Sequence, residues 1–130
     1  MARIFSISYD SMLLRTRELL LQQMGHTVTS AEGFAEAFEL CDQQPGTFDL
    51  MILGHSIPHE DKRAIIRRCG QTCRCSVLAL TKTNEQSVPE ADRSVDPSNT
   101  QEFVAAIHDL LRNDRSRESH QERMVAEPGS

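Results

Sequence analysis

Side chains that could hold a cation, bind an anion or move a proton are concentrated in four short segments of the sequence. These segments are residues 8–11, 54–60, 81–83 and 96–97. Their hydroxyl, carboxyl and imidazole groups suit hydrogen bonding, cation binding and proton transfer. Each segment follows an apolar stretch. The fold of these apolar stretches therefore determines which of the polar groups lie close enough to act together.

One of these segments carries two histidines four residues apart, the spacing at which two side chains can share a metal ion on a helix. Pro58 lies between His55 and His59 and predicts a loop, which removes the geometric meaning of that spacing. We therefore expect no metal site. Two interpretations remain for His55, Ser56, His59 and Glu60: a polar loop with an acid at a helix N-terminus, or a loop that binds a partner protein.

The cysteines suggest core positions rather than chemistry. Cys69, Cys73 and Cys75 form the spacing C-x3-C-x-C, which matches neither a zinc ribbon nor a thioredoxin motif. Cys41 completes the apolar face of a predicted helix. The N-terminal residues lack the long apolar stretch of a signal peptide, so we expect reduced thiols and a cytoplasmic protein.

Apolar patterns predict strands that alternate with helices. The predicted strands are residues 3–8, 27–30, 48–54, 76–80 and 94–95, and the predicted helices are residues 11–24, 34–41, 60–69 and 99–113. On the first helix, Leu21 and Met24 fall near the apolar face, whereas Arg17 is expected to face water. Residues 1–113 are predicted to form one domain, and residues 114–130 a flexible C-terminal tail.

This order of elements implies an α/β fold with a parallel sheet and helices on both faces. In such sheets, function gathers outside the carboxyl ends of the strands, near the point where the strand order reverses. Because all four polar segments follow predicted strands, we expect them to lie together at that edge.

The chain resembles a response-regulator receiver domain, with the flavodoxin-like fold of the bacterial chemotaxis response regulator, over residues 3–112. The most specific piece is residues 49–58, which are similar to the third strand of the family and its proline-containing loop; residues 24–26, 77–81 and 91–97 support it. The resemblance implies a doubly wound, five-stranded parallel sheet in the order 2-1-3-4-5. Only residues 82–90 are available for the fourth helix, which is therefore expected to be shortened or absent.

Receiver domains accept a phosphoryl group from a sensor histidine kinase on an Asp that ends the third strand. Three further features assist this reaction: an acid pair that binds Mg²⁺, a hydroxyl group, and a lysine. Here the acid pair aligns with Ser8 and Tyr9, the phosphoacceptor with Gly54, and the lysine with Asp96, while Thr81 retains the hydroxyl group. Glycine has no side chain to phosphorylate, and Mg²⁺ usually needs one or two carboxylates. The resemblance thus implies a degenerate receiver of a two-component or phosphorelay system that is no enzyme, has no cofactor and acts through phosphorylation-independent protein contacts.

Asp10 leaves a second interpretation open. It lies in the loop after the first strand, where it could cap the first helix or, with Thr81, form a displaced cation or anion site that still supports phosphorylation. A third interpretation is a small-ligand or redox module on the same fold. It lacks both a Gly-rich phosphate loop and aromatic side chains on which a flavin could stack.

Charge and hydropathy limit the classes of partner. The chain of 130 residues has 14 Lys and Arg against 19 Asp and Glu, and this net charge of −5 disfavours direct binding to nucleic acid or to anionic membranes. No apolar run approaches the ~20 residues of a membrane span. We expect a protein partner, either a histidine kinase or a downstream effector, and a homodimer stays open.

Overall fold

The computed structural model describes residues 2–43, 48–73, 75–82 and 88–112, of which residues 70–73 are described by their backbone alone. The predicted chain break at residues 44–46, the predicted tail at residues 114–130 and the side chain of Cys73 therefore lie outside the described part of the protein.

Five parallel strands form one sheet in the order β2-β1-β3-β4-β5. The strands are β1 (Arg3–Ser8), β2 (Thr27–Glu32), β3 (Leu50–Leu53), β4 (Ser76–Leu80) and β5 (Arg93–Val95). The helices are α1 (Ser11–Gln23), α2 (Phe34–Gln43), α3 (His59–Cys73) and α4 (residues 100–112). The predicted doubly wound sheet and its strand order are confirmed.

Several boundaries differ from the prediction, among them the start of β3 and the end of α3. β3 begins at Leu50 rather than at residue 48, because Asp49 is engaged across the strand ends: its N–H donates to the Arg3 carbonyl oxygen at 2.8 Å, and its Oδ2 accepts from the Arg3 N–H at 2.9 Å. α3 continues to Cys73 and so contains Gly70, which costs a helix only about 1 kcal/mol relative to Ala.

The connection between β4 and β5 is short. Its described residues, 81–82 and 88–92, contain turns and no helix, as expected for a shortened or absent fourth helix. Residues 83–87 lie outside the described part of the chain. Val88, within this connection, is buried in the core.

The helices cover both faces of the sheet because the strands are apolar on both sides. On β3, Met51 and Leu53 pack in the cluster that includes residues of α2 and α3, whereas Leu50 and Ile52 pack in the cluster that includes residues of α1 and α4. All four side chains are fully buried. The carboxyl ends of the strands are thereby left at one edge, with the loops that follow them.

α1 runs from a capping aspartate to a glycine. Gly25 follows the helix with φ +93°, a left-handed conformation that glycine adopts without steric cost. Leu14, Arg17 and Leu21 are its buried residues, spaced three and four apart on one stripe. The prediction that Arg17 faces water is therefore wrong, because its position on this stripe directs it inward.

No helix in the described part of the chain is both long and apolar enough to cross a membrane.

Candidate functional site

Serine hydroxyl groups join the loops that follow β1 and β3. Ser8 Oγ lies 3.3 Å from Ser56 Oγ, and the Tyr9 N–H donates to Ser56 Oγ at 3.1 Å. Ser8 Oγ also accepts from the Asp10 N–H at 3.0 Å. Ser8 is fully buried. Two predicted site residues, Ser8 and Ser56, are thus brought together, and they connect the loops through neutral hydrogen bonds.

Asp10 is the N-cap of α1. Its Oδ1 accepts from the backbone N–H groups of Met12 at 3.0 Å and Leu13 at 3.2 Å, which satisfies two donors at the start of the helix. Of the two roles that the sequence left open for Asp10, this capping contact is the one observed. Across the residues described, no three His, Cys, Asp or Glu side chains are grouped so that they could hold a metal ion.

Gly54 follows β3, and its missing side chain leaves room for Arg17. A Cβ atom at position 54 would lie 2.9 Å from Arg17 Nη1, 3.1 Å from Ser8 Oγ and 3.3 Å from the Ile7 carbonyl oxygen. Real Cβ atoms essentially never approach another heavy atom within 3.0 Å. The end of the Arg17 side chain from α1 therefore lies where a Cβ atom at position 54 would be placed, and it would have to shift to admit one.

The charge of Arg17 is buried at this edge of the sheet. The residue is 8% exposed, its Nη1 is buried without a hydrogen-bond partner, and its Nη2 lies 3.5 Å from His55 Nδ1. Burial lowers the pKa of Arg17, while the charge of Asp10 raises it. Because arginine is not deprotonated in proteins, the site contains a cation with an unused hydrogen-bond donor.

A second cation reaches the edge from the opposite face of the sheet. Lys62 on α3 is 1% exposed, and its Nζ donates to the carbonyl oxygen of Leu80, the last residue of β4, at 2.9 Å. Thr81 follows directly, is buried and donates its N–H to the Val95 carbonyl oxygen at 3.0 Å.

Asp96 stabilises the loop after β5. Its Oδ1 accepts from the N–H of Ser98 at 2.8 Å and from the Ser98 hydroxyl at 2.6 Å. The residue that aligns with the family's lysine thus makes a local turn contact, whereas α3 brings a buried ammonium group to this edge.

The remaining loop residues are divided between the interior and the surface. Ser56 is engaged with Ser8 and Tyr9, and His55 is half-buried beside Arg17, whereas Glu60 is exposed and His59 is half-buried in the first turn of α3. Since His59 is helical and His55 is not, their four-residue spacing does not place them on one helix.

The cysteines lie away from this edge in the part of the chain that is described. Cys41 and Cys69 are fully buried between α2 and α3, where Cys41 Sγ lies 3.7 Å from the Cys69 carbonyl oxygen. Their position agrees with the predicted role as core residues.

Sequence reasoning missed Arg17 and Lys62. Each lies on the apolar stripe of its helix: Arg17 between Leu14 and Leu21, and Lys62 three residues before Ile65. A basic residue on a buried stripe is the signal that could have identified them, because a long cationic side chain there must reach an acceptor at the edge of the core.

No protein-family model matches the chain, and no curated protein matches it. Solved structures do match. A response regulator receiver domain protein from Clostridium thermocellum is 20% identical, with a TM-score of 0.73, over 88% of this chain and 98% of that one. A response regulator protein from Thermotoga maritima in complex with Mg²⁺ and BeF is 24% identical, with a TM-score of 0.69, over 85% and 99%.

A protein described as an adenylate cyclase from Rhodopirellula baltica is also similar, with 19% identity and a TM-score of 0.80 over 95% of this chain and 97% of that one. At these identities the likeness establishes the fold. The chain has the fold of response-regulator receiver domains, as the sequence predicted.

Tyr9 provides a spectroscopic test of the site, since it is the single tyrosine of the chain. Its OH donates to Asp61 Oδ2 at 2.8 Å. Burial, this hydrogen bond and the charge of Asp61 raise the pKa of Tyr9 well above its ordinary value. We expect the tyrosinate absorbance to appear far above pH 10 in the folded protein, and at lower pH in Asp61→Asn. Because the pKa of Tyr9 is higher in the folded protein than in the unfolded one, its contact with Asp61 stabilises the fold at pH values below the unfolded pKa. That stabilisation is lost as the pH rises through the folded pKa. A tyrosine that titrates at its ordinary pKa would contradict the contact.

The contact between position 54 and Arg17 can be measured as a coupling energy. We expect Gly54→Ala to lower the free energy of unfolding by about 1–3 kcal/mol, because the added Cβ overpacks the site. In an Arg17→Ala background the same change should cost clearly less, since the closest neighbour is then absent. Urea unfolding of the four proteins gives the coupling, and strictly additive effects would show that Arg17 does not fill this space.

Proposed function

We propose that this chain is a receiver-like signalling module of a two-component or phosphorelay system, which binds a protein partner without being phosphorylated and has no enzymatic activity. The observation that supports this most strongly is the Arg17 guanidinium group in the space beside Gly54. The fold supports a receiver-like module, and the occupied space beside Gly54 is the reason to propose that the module is not phosphorylated.

The space beside position 54 is unsuited to a phosphoacceptor. Position 54 has no side chain, and the space where a carboxylate would project is filled by Arg17 Nη1. Asp10, the nearby carboxylate, uses Oδ1 to cap α1. Position 54 therefore offers no nucleophile of the kind that aspartyl phosphorylation requires, and Asp10 follows β1 with one carboxylate oxygen engaged in the helix cap.

The charges at this site are unsuited to Mg²⁺. Mg²⁺ is usually held by one or two carboxylates together with phosphate oxygens. The positions that align with the acid pair hold Ser8 and Tyr9, and the buried guanidinium next to Ser8 repels a divalent cation. A site with a fixed positive charge and neutral hydroxyl groups is unsuited to the Mg²⁺-dependent reaction.

The loops at this edge are already joined by hydrogen bonds. Hydrogen bonds among Ser8, Ser56 and the Tyr9 N–H already fix the loops after β1 and β3 to each other. Lys62 is likewise bound to the end of β4. These contacts join the loops without a phosphoryl group, and we infer that the partner recognises this conformation constitutively.

α1 offers the surface that best fits such a partner. Met12 is 77% exposed and Leu19 is 46% exposed, and their separation of seven positions places both on one side of the helix. Methionine adapts to varied apolar partners. The exposed Glu60 lies in the first turn of α3, at the same end of the sheet as Met12. We propose that a histidine kinase or downstream effector in a bacterial cytoplasm docks there.

Acetyl phosphate tests the absence of phosphotransfer. We expect the chain, incubated with acetyl phosphate and Mg²⁺, to keep its intact mass, while a phosphorylatable receiver in the same tube gains one phosphate. Gly54 and the capped Asp10 explain this result. A phosphate gain that hydroxylamine reverses and that Asp10→Asn abolishes would contradict the proposal and favour the displaced site.

Capture from the source cells tests the partner surface. We expect one protein to bind the chain equally before and after acetyl phosphate treatment, and Met12→Glu to weaken that binding at least about ten-fold, which is roughly 1.4 kcal/mol. Phe34→Glu is the matched control, because Phe34 is 48% exposed on α2, on the other face of the sheet. Equal losses in both variants, or binding only after treatment, would count against this surface.

A further inference from the structure

A cavity of about 350 Å³ lies between α1 and α4 at the carboxyl edge of the sheet. Its apolar lining includes Leu13 and Leu20 from α1, Leu80 from β4 and Phe103 from α4. This volume falls in the range of small-molecule sites, which are mostly apolar with a few convergent polar groups. The cavity is on the α1 side of the sheet. His55 of the candidate partner loop lines it, whereas Met12, Leu19 and Glu60 do not.

The polar lining is positive. Arg17, His55 and Lys82 line the cavity, and no Asp or Glu is among its described lining residues. Ser98 and Thr100 also line it, at the start of α4, where the Asn99 side chain caps the helix by accepting from the Glu102 N–H at 3.0 Å. The N-terminus of a helix carries partial positive charge, which adds to that of the two basic side chains.

Arg17 is the most deeply buried cation of this lining. The residue is 8% exposed and lines the cavity, although its Nη1 lies beside position 54 rather than in the cavity. A buried charge is costly, and an anion bound beside it would lower that cost. Charge-assisted hydrogen bonds between guanidinium and carboxylate groups are strong, so a carboxylate is the head group that suits this side chain best.

We propose that the cavity binds a small organic anion with a carboxylate head and an apolar body. The head lies against Arg17, with Lys82 near the mouth, and the body lies against Leu13, Leu20 and Phe103. This site adjoins the proposed docking surface, because Thr16 lies between Met12 and Leu19 on α1, but ligand binding there does not depend on whether the chain is phosphorylated. An occupant would add a chemical input to a module whose protein contacts are otherwise constitutive.

Octanoate tests the proposal, with octan-1-ol as the probe that lacks the charge and acetate as the probe that lacks the body. In amide NMR titrations we expect octanoate to shift residues 13–20, 55, 80–82 and 97–103 saturably, and to bind at least ten-fold more tightly than either control. Equal affinity for octanoate and octan-1-ol would overturn the proposal, and so would octanoate binding as weak as that of acetate.

Three variants locate the site. Arg17→Gln should abolish the preference for octanoate over octan-1-ol, and Thr16→Phe should block both probes, because Thr16 is an exposed residue of α1 that lines the cavity. Thr16→Phe leaves the buried charge in place, so it remains informative if Arg17→Gln does not fold. Arg67→Gln, at a surface cation on α3, is the control that should change nothing. Unchanged octanoate affinity in both Thr16→Phe and a folded Arg17→Gln would refute the site.

Discussion

A buried guanidinium group needs space and an opposite charge, and the carboxyl edge of this sheet provides both for Arg17. Arg17 lies on the buried stripe of α1 between Leu14 and Leu21, so the packing of the helix carries the charge inward. Gly54 leaves the space, and the charge of Asp10 offsets part of the burial. Because large buried charges are costly when unpaired, a change at any of these positions affects the others.

The sign of the charge at this edge determines what the site can do. Arg17 and Lys62 bring cations from opposite faces of the sheet, and the loop positions that align with acids in receiver domains carry hydroxyl groups instead. The buried guanidinium beside Gly54 and Ser8 disfavours a divalent cation at that position, and the cavity that Arg17 and Lys82 line favours an anion. The same charge therefore underlies both proposals, a receiver fold that works without phosphotransfer and a cavity that takes an organic carboxylate.

The fold was predictable because its signals are local and strong. Buried strands such as β3 and β4 are continuous apolar runs, and Gly25 marks the end of α1. The positions of Ser8, Gly54, Thr81 and Asp96 at one edge followed from strand order alone. Arg17 was missed because an arginine among charged helix residues usually faces water, and only the contact with position 54, far away in sequence, shows why it does not.

The start of β3 was also beyond sequence reasoning, since the Asp49 side chain accepts from the Arg3 N–H just before the strand begins. The cavity could not be foreseen for a similar reason. Its lining comes from α1, α4 and the loops after three different strands. The spacing of residues in the sequence does not predict the distance between two helices.

The most direct test of the central claim is an amide NMR titration of the intact chain with Mg²⁺ and then with beryllofluoride, a mimic of the phosphoryl group. The account predicts no shifts at residues 8–11, 54 and 81, because Arg17 fills the space and no acid pair holds the metal ion. Saturable shifts at those residues that require Mg²⁺ would contradict it.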